Sequence, residues 1–166
     1  MKTIELKKRS LYSKLALGLM MSLLPMSTFS EIYVQPIIQG KVVKHWEVNL
    51  KTLPKPKQVI KGGEDECNGG NFPDQYRYQD LTLLDNGQVK EVIINGSNGL
   101  IFHKERIVEK MNQQKFKKKF KAVLYSKDET NPNVLSADLA SDGNDSIDFI
   151  FKSGQLYKYQ LNFDNC

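Results

Sequence analysis

Histidine and cysteine are scarce in this chain, with two of each, and tryptophan occurs once. The histidines, His45 and His103, stand in no recognisable motif, so neither cysteine is provided with a base by any known nucleophile–base signature. No residue cluster carries a catalytic or cofactor signature, and neither an enzyme activity, a metal nor a cofactor is expected. Long apolar runs are lacking too. The run "LALGLMMSLLPM" is twelve residues, short of the roughly twenty that a spanning helix needs. No membrane span is expected from it.

That short run has a telling context. It follows "MKTIELKKRSLYSK", with Lys2, Lys7, Lys8, Arg9 and Lys14 against Glu5, and it precedes the small residues of "STFS". Cationic, apolar and small-residue segments in this order are those of a secretory signal peptide. Residues 1–30 are read as that signal, with cleavage after Ser30. Residues 31–166 are then one mature domain, delivered to the periplasm or secreted. No cysteine follows the apolar run, so a lipid anchor is not indicated.

An excess of one charge is also missing from the mature part. The whole chain has 24 Lys+Arg and 19 Asp+Glu. Removing five cations and one acid leaves 19 and 18, a net charge of +1. The basic balance belongs to the export segment, and nucleic acid is not an expected partner. Four of the five methionines leave as well, so the mature part keeps Met111 alone.

Both cysteines, Cys67 and Cys166, lie in the exported part. In an oxidising compartment an even count favours a bridge. It would close a loop of about 100 residues, worth about 4–5 kcal/mol on chain-entropy grounds. Cys67 falls in "IKGGEDECNGGNF", residues 60–72, beside Glu64, Asp65 and Glu66. Adjacent acids in a loop are poorly placed for acid–base catalysis, which needs fixed geometry. They suit an acidic surface patch held at one side by Cys67. Phe72, Tyr76 and Tyr78 follow directly; they fit either aromatic anchors for a partner or alternate core positions of a strand.

Two segments resemble each other. "TLLDNGQVKEVIIN", residues 82–95, and "FIFKSGQLYKYQLN", residues 149–162, share Gly87/Gly154, Gln88/Gln155 and Asn95/Asn162 without a gap. Both read as β-hairpins, with glycine supplying the positive φ of a tight turn. Val92 and Ile94 should share a face, as should Tyr157, Tyr159 and Leu161. Before the second hairpin, "HKERIVEKMNQQKFKKKF" reads as a helix with an Ile107, Val108 and Met111 stripe, followed by strands in "KAVLYS" and "VLSADLA". Before the first, "GKVVKHWEVNLKT" places Val43, Trp46 and Leu50 at helical spacing, although "KHWEVNLK" also alternates like a strand. Helix is preferred there, ended by Pro54 and Pro56, with "KQVIK" and "QYRYQ" as short strands. The expected fold is α+β, with a helix and an antiparallel meander used twice in one domain.

This order resembles small exported bacterial proteins built from a helical segment and a four-stranded meander. The β-lactamase inhibitor proteins and the outer-membrane assembly lipoproteins of the SmpA type are examples. The resemblance is one of arrangement and implies a binding protein. No site residue transfers.

Two further patterns have plain structural readings. "SDGNDSID" spaces Asp142, Asn144, Ser146 and Asp148 as alternate oxygens, but it lacks the glycine and glutamate positions of a calcium loop. A solvated turn entering a strand accounts for it. "KFKKKFK", residues 115–121, could meet anionic surfaces, but a solvated helix end explains it better, since lysines there suit the helix dipole. The function expected is therefore a periplasmic inhibitor or immunity protein against a toxin or lytic enzyme. An envelope assembly or maintenance factor binding an outer-membrane complex is the alternative. The expected contact residues are Glu64, Asp65, Glu66, Phe72 and Tyr76.

Overall fold

A computed structural model describes residues 33–126, 130–139 and 145–163. The signal segment lies outside the described residues, as do Cys166, Asp142 and Asn144. Two antiparallel sheets share one core. The smaller contains β1 (Val34–Ile38), β2 (Lys41–Val42), β7 (Gly99–Phe102) and β8 (Glu105–Ile107), in the order β2-β1-β7-β8. The larger contains β3 (Gln58–Ile60), β4 (Gln75–Arg77), β5 (Leu81–Leu84), β6 (Val89–Ile93), β9 (Val134–Asp138), β10 (Ser146–Lys152) and β11 (Gln155–Asn162), in the order β3-β4-β5-β6-β11-β10-β9. Among the described residues one α-helix, α1 (Gln113–Lys119), packs on that core through Phe116. The fold is thus α+β and largely β.

Tight turns set the hairpins. Gln39 and Gly40, His103 and Lys104, and Ser153 and Gly154 all have positive φ. Two consecutive left-handed residues make the turn whose twist matches a right-twisted strand pair. The turn after β5 is longer: Gly87 has φ 89°, and its N–H donates to Leu84 O at 2.9 Å. A Cβ there would meet Val48 O at 2.4 Å. Both expected hairpins form, β5 with β6 and β10 with β11. Val89 and Val92 are both fully buried although they stand three apart. An extra residue in β6, opposite the Thr82/Leu83 step of β5, restores the phase.

The core joins the sheets through aromatic contacts. Phe102 of β7 lies 4.8 Å from Phe149 of β10, and Phe116 of α1 lies 4.7 Å from Phe149. Tyr159 of β11 is fully buried, and its hydroxyl donates to Gly99 O of β7 at 3.0 Å. Val92, Ile94, Tyr159 and Leu161 all point into this core, as the alternation predicted, but Tyr157 does not join them: it is the extra residue of a bulge in β11, and Leu156 takes the core position.

The helical expectations need correction. Residues 41–52 are not a helix. His45 and Trp46 have φ of 53° and 58°, which interrupts any helical run and leaves only short 3-10 turns in this segment. The break lies inside the first 3-10 turn, Lys44–Trp46, and the second, Leu50–Thr52, follows it. Here tertiary anchoring prevails over spacing: the Trp46 indole N–H donates to Val34 O at 2.8 Å, and its ring lies 5.3 Å from that of Phe163. The second helix is much shorter than the 18-residue segment suggested. His103 and Lys104 form a β-turn, Ile107 is buried in β8, and the helix starts after Asn112. The Asn112 side chain accepts from Gln114 N at 2.9 Å and Lys115 N at 3.3 Å, satisfying two of the free amides of the first turn. "KAVLYS" is not a strand either; residues 121–123 turn, and Tyr125 alone bridges to Ser136.

Candidate functional site

The acidic segment connects β3 to β4 and folds on itself. Phe72 N–H donates to Gly63 O at 2.8 Å, Glu64 pairs with Asn71, and Asp65 N–H donates to Gly70 O at 3.1 Å. A side chain at Gly62 is impossible, because its Cβ would fall 1.6 Å from Phe72 O. The base of the loop is fixed by Asp74. Its carboxylate accepts from Lys61 Nζ at 2.6 Å and from Gly62 N at 3.1 Å. The Lys61 bond, followed by the Gly62 amide, lowers the Asp74 pKa; the Asp74 bond and charge raise that of Lys61.

The three acids separate into two roles. Asp65 is 9 % exposed and faces its own loop. Its carboxylate accepts from Asn68 N at 3.1 Å, Cys67 N at 3.0 Å and Asn68 Nδ2 at 3.4 Å. The amide bond from Asn68 leads the causes that hold its carboxyl below the ordinary range. The expectation that Asp65 presents charge to a partner is therefore corrected, because that charge caps the turn. Glu64 and Glu66 are exposed, and Phe72 is 39 % exposed. Tyr76 is half-buried in β4, opposite Val59 on one side and Leu83 on the other. Cys67 sits in the exposed turn, and no described cysteine is free. The structure thus brings Glu64, Glu66 and Phe72 together on one self-bonded loop, with Tyr76 on the strand that leaves it.

A second polar arrangement escaped the sequence reading. On the outer face of the larger sheet, Asp148 accepts from Ser136 Oγ and Asn162 Nδ2, each at 2.7 Å. Glu91 pairs with Lys158. Tyr125 donates to Asp138 at 2.5 Å, and burial with that bond pushes its phenol up. Burial lowers the Lys90 pKa, opposed by the charges of Asp148 and Glu91. These residues come from strands far apart in sequence, and no local motif announces them. Ser146, one of the alternate oxygens weighed for calcium, is buried in β10. Among the described residues no cluster of three or more His, Cys, Asp or Glu is placed to hold a metal.

The basic run resolves by side. Phe116 and Phe120 are buried, while Lys115, Lys117, Lys118 and Lys121 face solvent, and Lys119 pairs with Glu105 at 3.0 Å. Lys117, Lys118 and Lys119 occupy the last helical turn, where the dipole favours cations. Among the described residues no helix is long and apolar enough to cross a membrane. Comparison with protein-family models, curated proteins and solved structures returned no match.

Proposed function

We propose that the chain is an exported periplasmic binding protein that blocks a toxin or lytic enzyme, and that it docks through the loop between Lys61 and Asp74. The observation carrying this reading is the loop itself. Its backbone is closed by its own hydrogen bonds, yet it turns two carboxylates and a phenyl ring outward. A preorganised loop loses less entropy on binding than a mobile one. Exposed acids beside an aromatic anchor suit a cationic cleft, where they speed encounter and occlude substrate. In this reading a Cys67–Cys166 bridge ties the outer turn to the end of the chain. The strand orders support a second element of the proposal, two copies of one unit. In place of the expected helix, a hairpin opens each unit, and a meander of four strands follows in the first and of three in the second. The hairpins join through β1 and β7, and the meanders through β6 and β11.

The test is capture of a periplasmic partner by wild type and by a Glu64→Lys/Glu66→Lys variant. Asp65 is left unchanged, because replacing it would open the turn. The variant is first shown folded by its thermal transition. Loss of capture with folding intact supports the loop as the contact, and full retention refutes it.

A further inference from the structure

The larger sheet ends in an open edge that carries core side chains outward. Across one register Leu83 of β5, Tyr76 of β4 and Val59 of β3 stand opposite one another. Cross-strand partners share a face. Leu83 is fully buried, Tyr76 half-buried and Val59 46 % exposed, so the core face runs out across three strands to the edge. Among the described residues β3 pairs only with β4. The opposite edge, β9, is covered by Tyr125, whose N–H donates to Ser136 O at 2.9 Å and whose carbonyl accepts from Ser136 N at 2.8 Å.

We propose that β3 is a strand-addition site for an extended partner segment in which acidic residues flank an apolar one. This rests on the reading of the chain as a protein-binding domain, but not on the acidic loop. An edge strand offers unpaired backbone groups that an added strand satisfies. An apolar residue of that strand would cover Val59 and continue the core face. Charge selects what flanks it. Lys55 and Lys57 are exposed just before β3 and carry that selection; Lys61 follows the strand but is already engaged by Asp74. Acidic residues of the incoming strand meet them, while a basic strand is repelled. A second copy of the chain is disfavoured by the same residues. An antiparallel pairing centred on Val59 would set Lys57 opposite Lys61 and bring Lys55 and Lys57 of both copies to one strand pair, a like-charge excess that the Asp74 beside each Lys61 does not offset. Pro54 and Pro56 lack N–H donors, which limits the usable edge to the few residues that follow.

The experiment titrates the 15N-labelled protein with two short peptides that carry a central valine with threonine on either side, one flanked two residues out by glutamate and the other by lysine, so that the charges share the valine's face. Both are N-methylated along one edge so that they cannot stack. The expected result is saturable amide shifts confined to Gln58–Ile60 and the facing Tyr76, with slowed exchange of β3 amides, for the glutamate peptide alone. A Lys55→Glu/Lys57→Glu variant, shown folded by its thermal transition, should weaken that peptide roughly tenfold and admit the lysine peptide. Absence of saturable shifts in β3 overturns the proposal. So does equal binding of both peptides, or concentration-dependent self-pairing through β3. The Glu64→Lys/Glu66→Lys variant should bind the glutamate peptide at least as well as wild type does, so failure of the loop reading and failure of this one give different patterns.

Discussion

Tyr159→Phe removes one oxygen from the centre of the fold and leaves the ring in place. The lost contact is the donation to Gly99 O at 3.0 Å, which links β11 of the larger sheet to β7 of the smaller. A buried neutral hydrogen bond is worth about 0.5–1.5 kcal/mol net, and more when its acceptor is left without a partner. A loss of about 1–2 kcal/mol is therefore expected. With a urea slope of about 1–3 kcal/mol per molar, the midpoint should fall by roughly 0.3–2 M at unchanged slope. Tyr159→Ala should cost about 3–5 kcal/mol, because it also empties the ring's volume. Alkaline titration gives an independent check. Burial raises the Tyr159 pKa well above its ordinary value. Above about pH 10 the unfolded chain releases a proton that the folded chain keeps, so stability falls as pH rises. Tyr159→Phe removes that share of the alkaline loss, while Tyr125 and Tyr78, also raised by burial, keep theirs. A Phe variant as stable as wild type, with an unchanged alkaline limb, would refute the inter-sheet role of the hydroxyl.

Three other substitutions probe separate parts. Phe116→Ala should cost about 3–5 kcal/mol by equilibrium unfolding, since α1 buries Phe116 alone and a seven-residue helix is not stable by itself. Lys104→Gly should stabilise by roughly 0.5–1 kcal/mol in the same assay: it relieves a left-handed residue at φ 68° and gives back part in unfolded-chain entropy. Cys67→Ser and Cys166→Ser should each cost about 2–5 kcal/mol, and the double variant little more, if one bridge joins them; additive losses would separate their roles.

The hairpins were legible because both of their signals are local. Alternating apolar residues flank Asp85-Asn86-Gly87 in one and Ser153-Gly154 in the other, and the turns form at those glycines. The smaller sheet was not legible. "VQPII" and "GLIF" are short apolar runs with little alternation, and they become strands by pairing with each other across the chain. The over-long helix shows the limit of reading for breakers alone. His103-Lys104 contains neither Gly nor Pro, yet it takes the left-handed conformation that joins β7 to β8. Asn112 was the signal that marked the true helix start. The outer-face residues Lys90, Asp148 and Ser136 carry no signal of their own, since their meeting depends on the order of strands.

That order also determines which surfaces remain available for a partner. Joining β6 to β11 puts the last strands of both meanders in the middle of the larger sheet and sends their first strands to its two edges. The edges then differ by what precedes each meander. Before β9 the chain leaves α1 and returns Tyr125 as a bridge, which closes that side. Before β3 it leaves a 3-10 turn and passes Pro54 and Pro56, which lack amides to give to a ladder. The open edge and the self-bonded acidic loop are therefore neighbours for one reason: the loop is the connection from the edge strand β3 to β4. A partner that adds a strand at Val59 and one that inserts Glu64 and Glu66 into a cleft meet the same end of the domain. Combining Lys55→Glu/Lys57→Glu with Glu64→Lys/Glu66→Lys distinguishes one continuous interface from two. Losses of binding free energy that sum mark independent contacts, and a shortfall or excess marks a shared one.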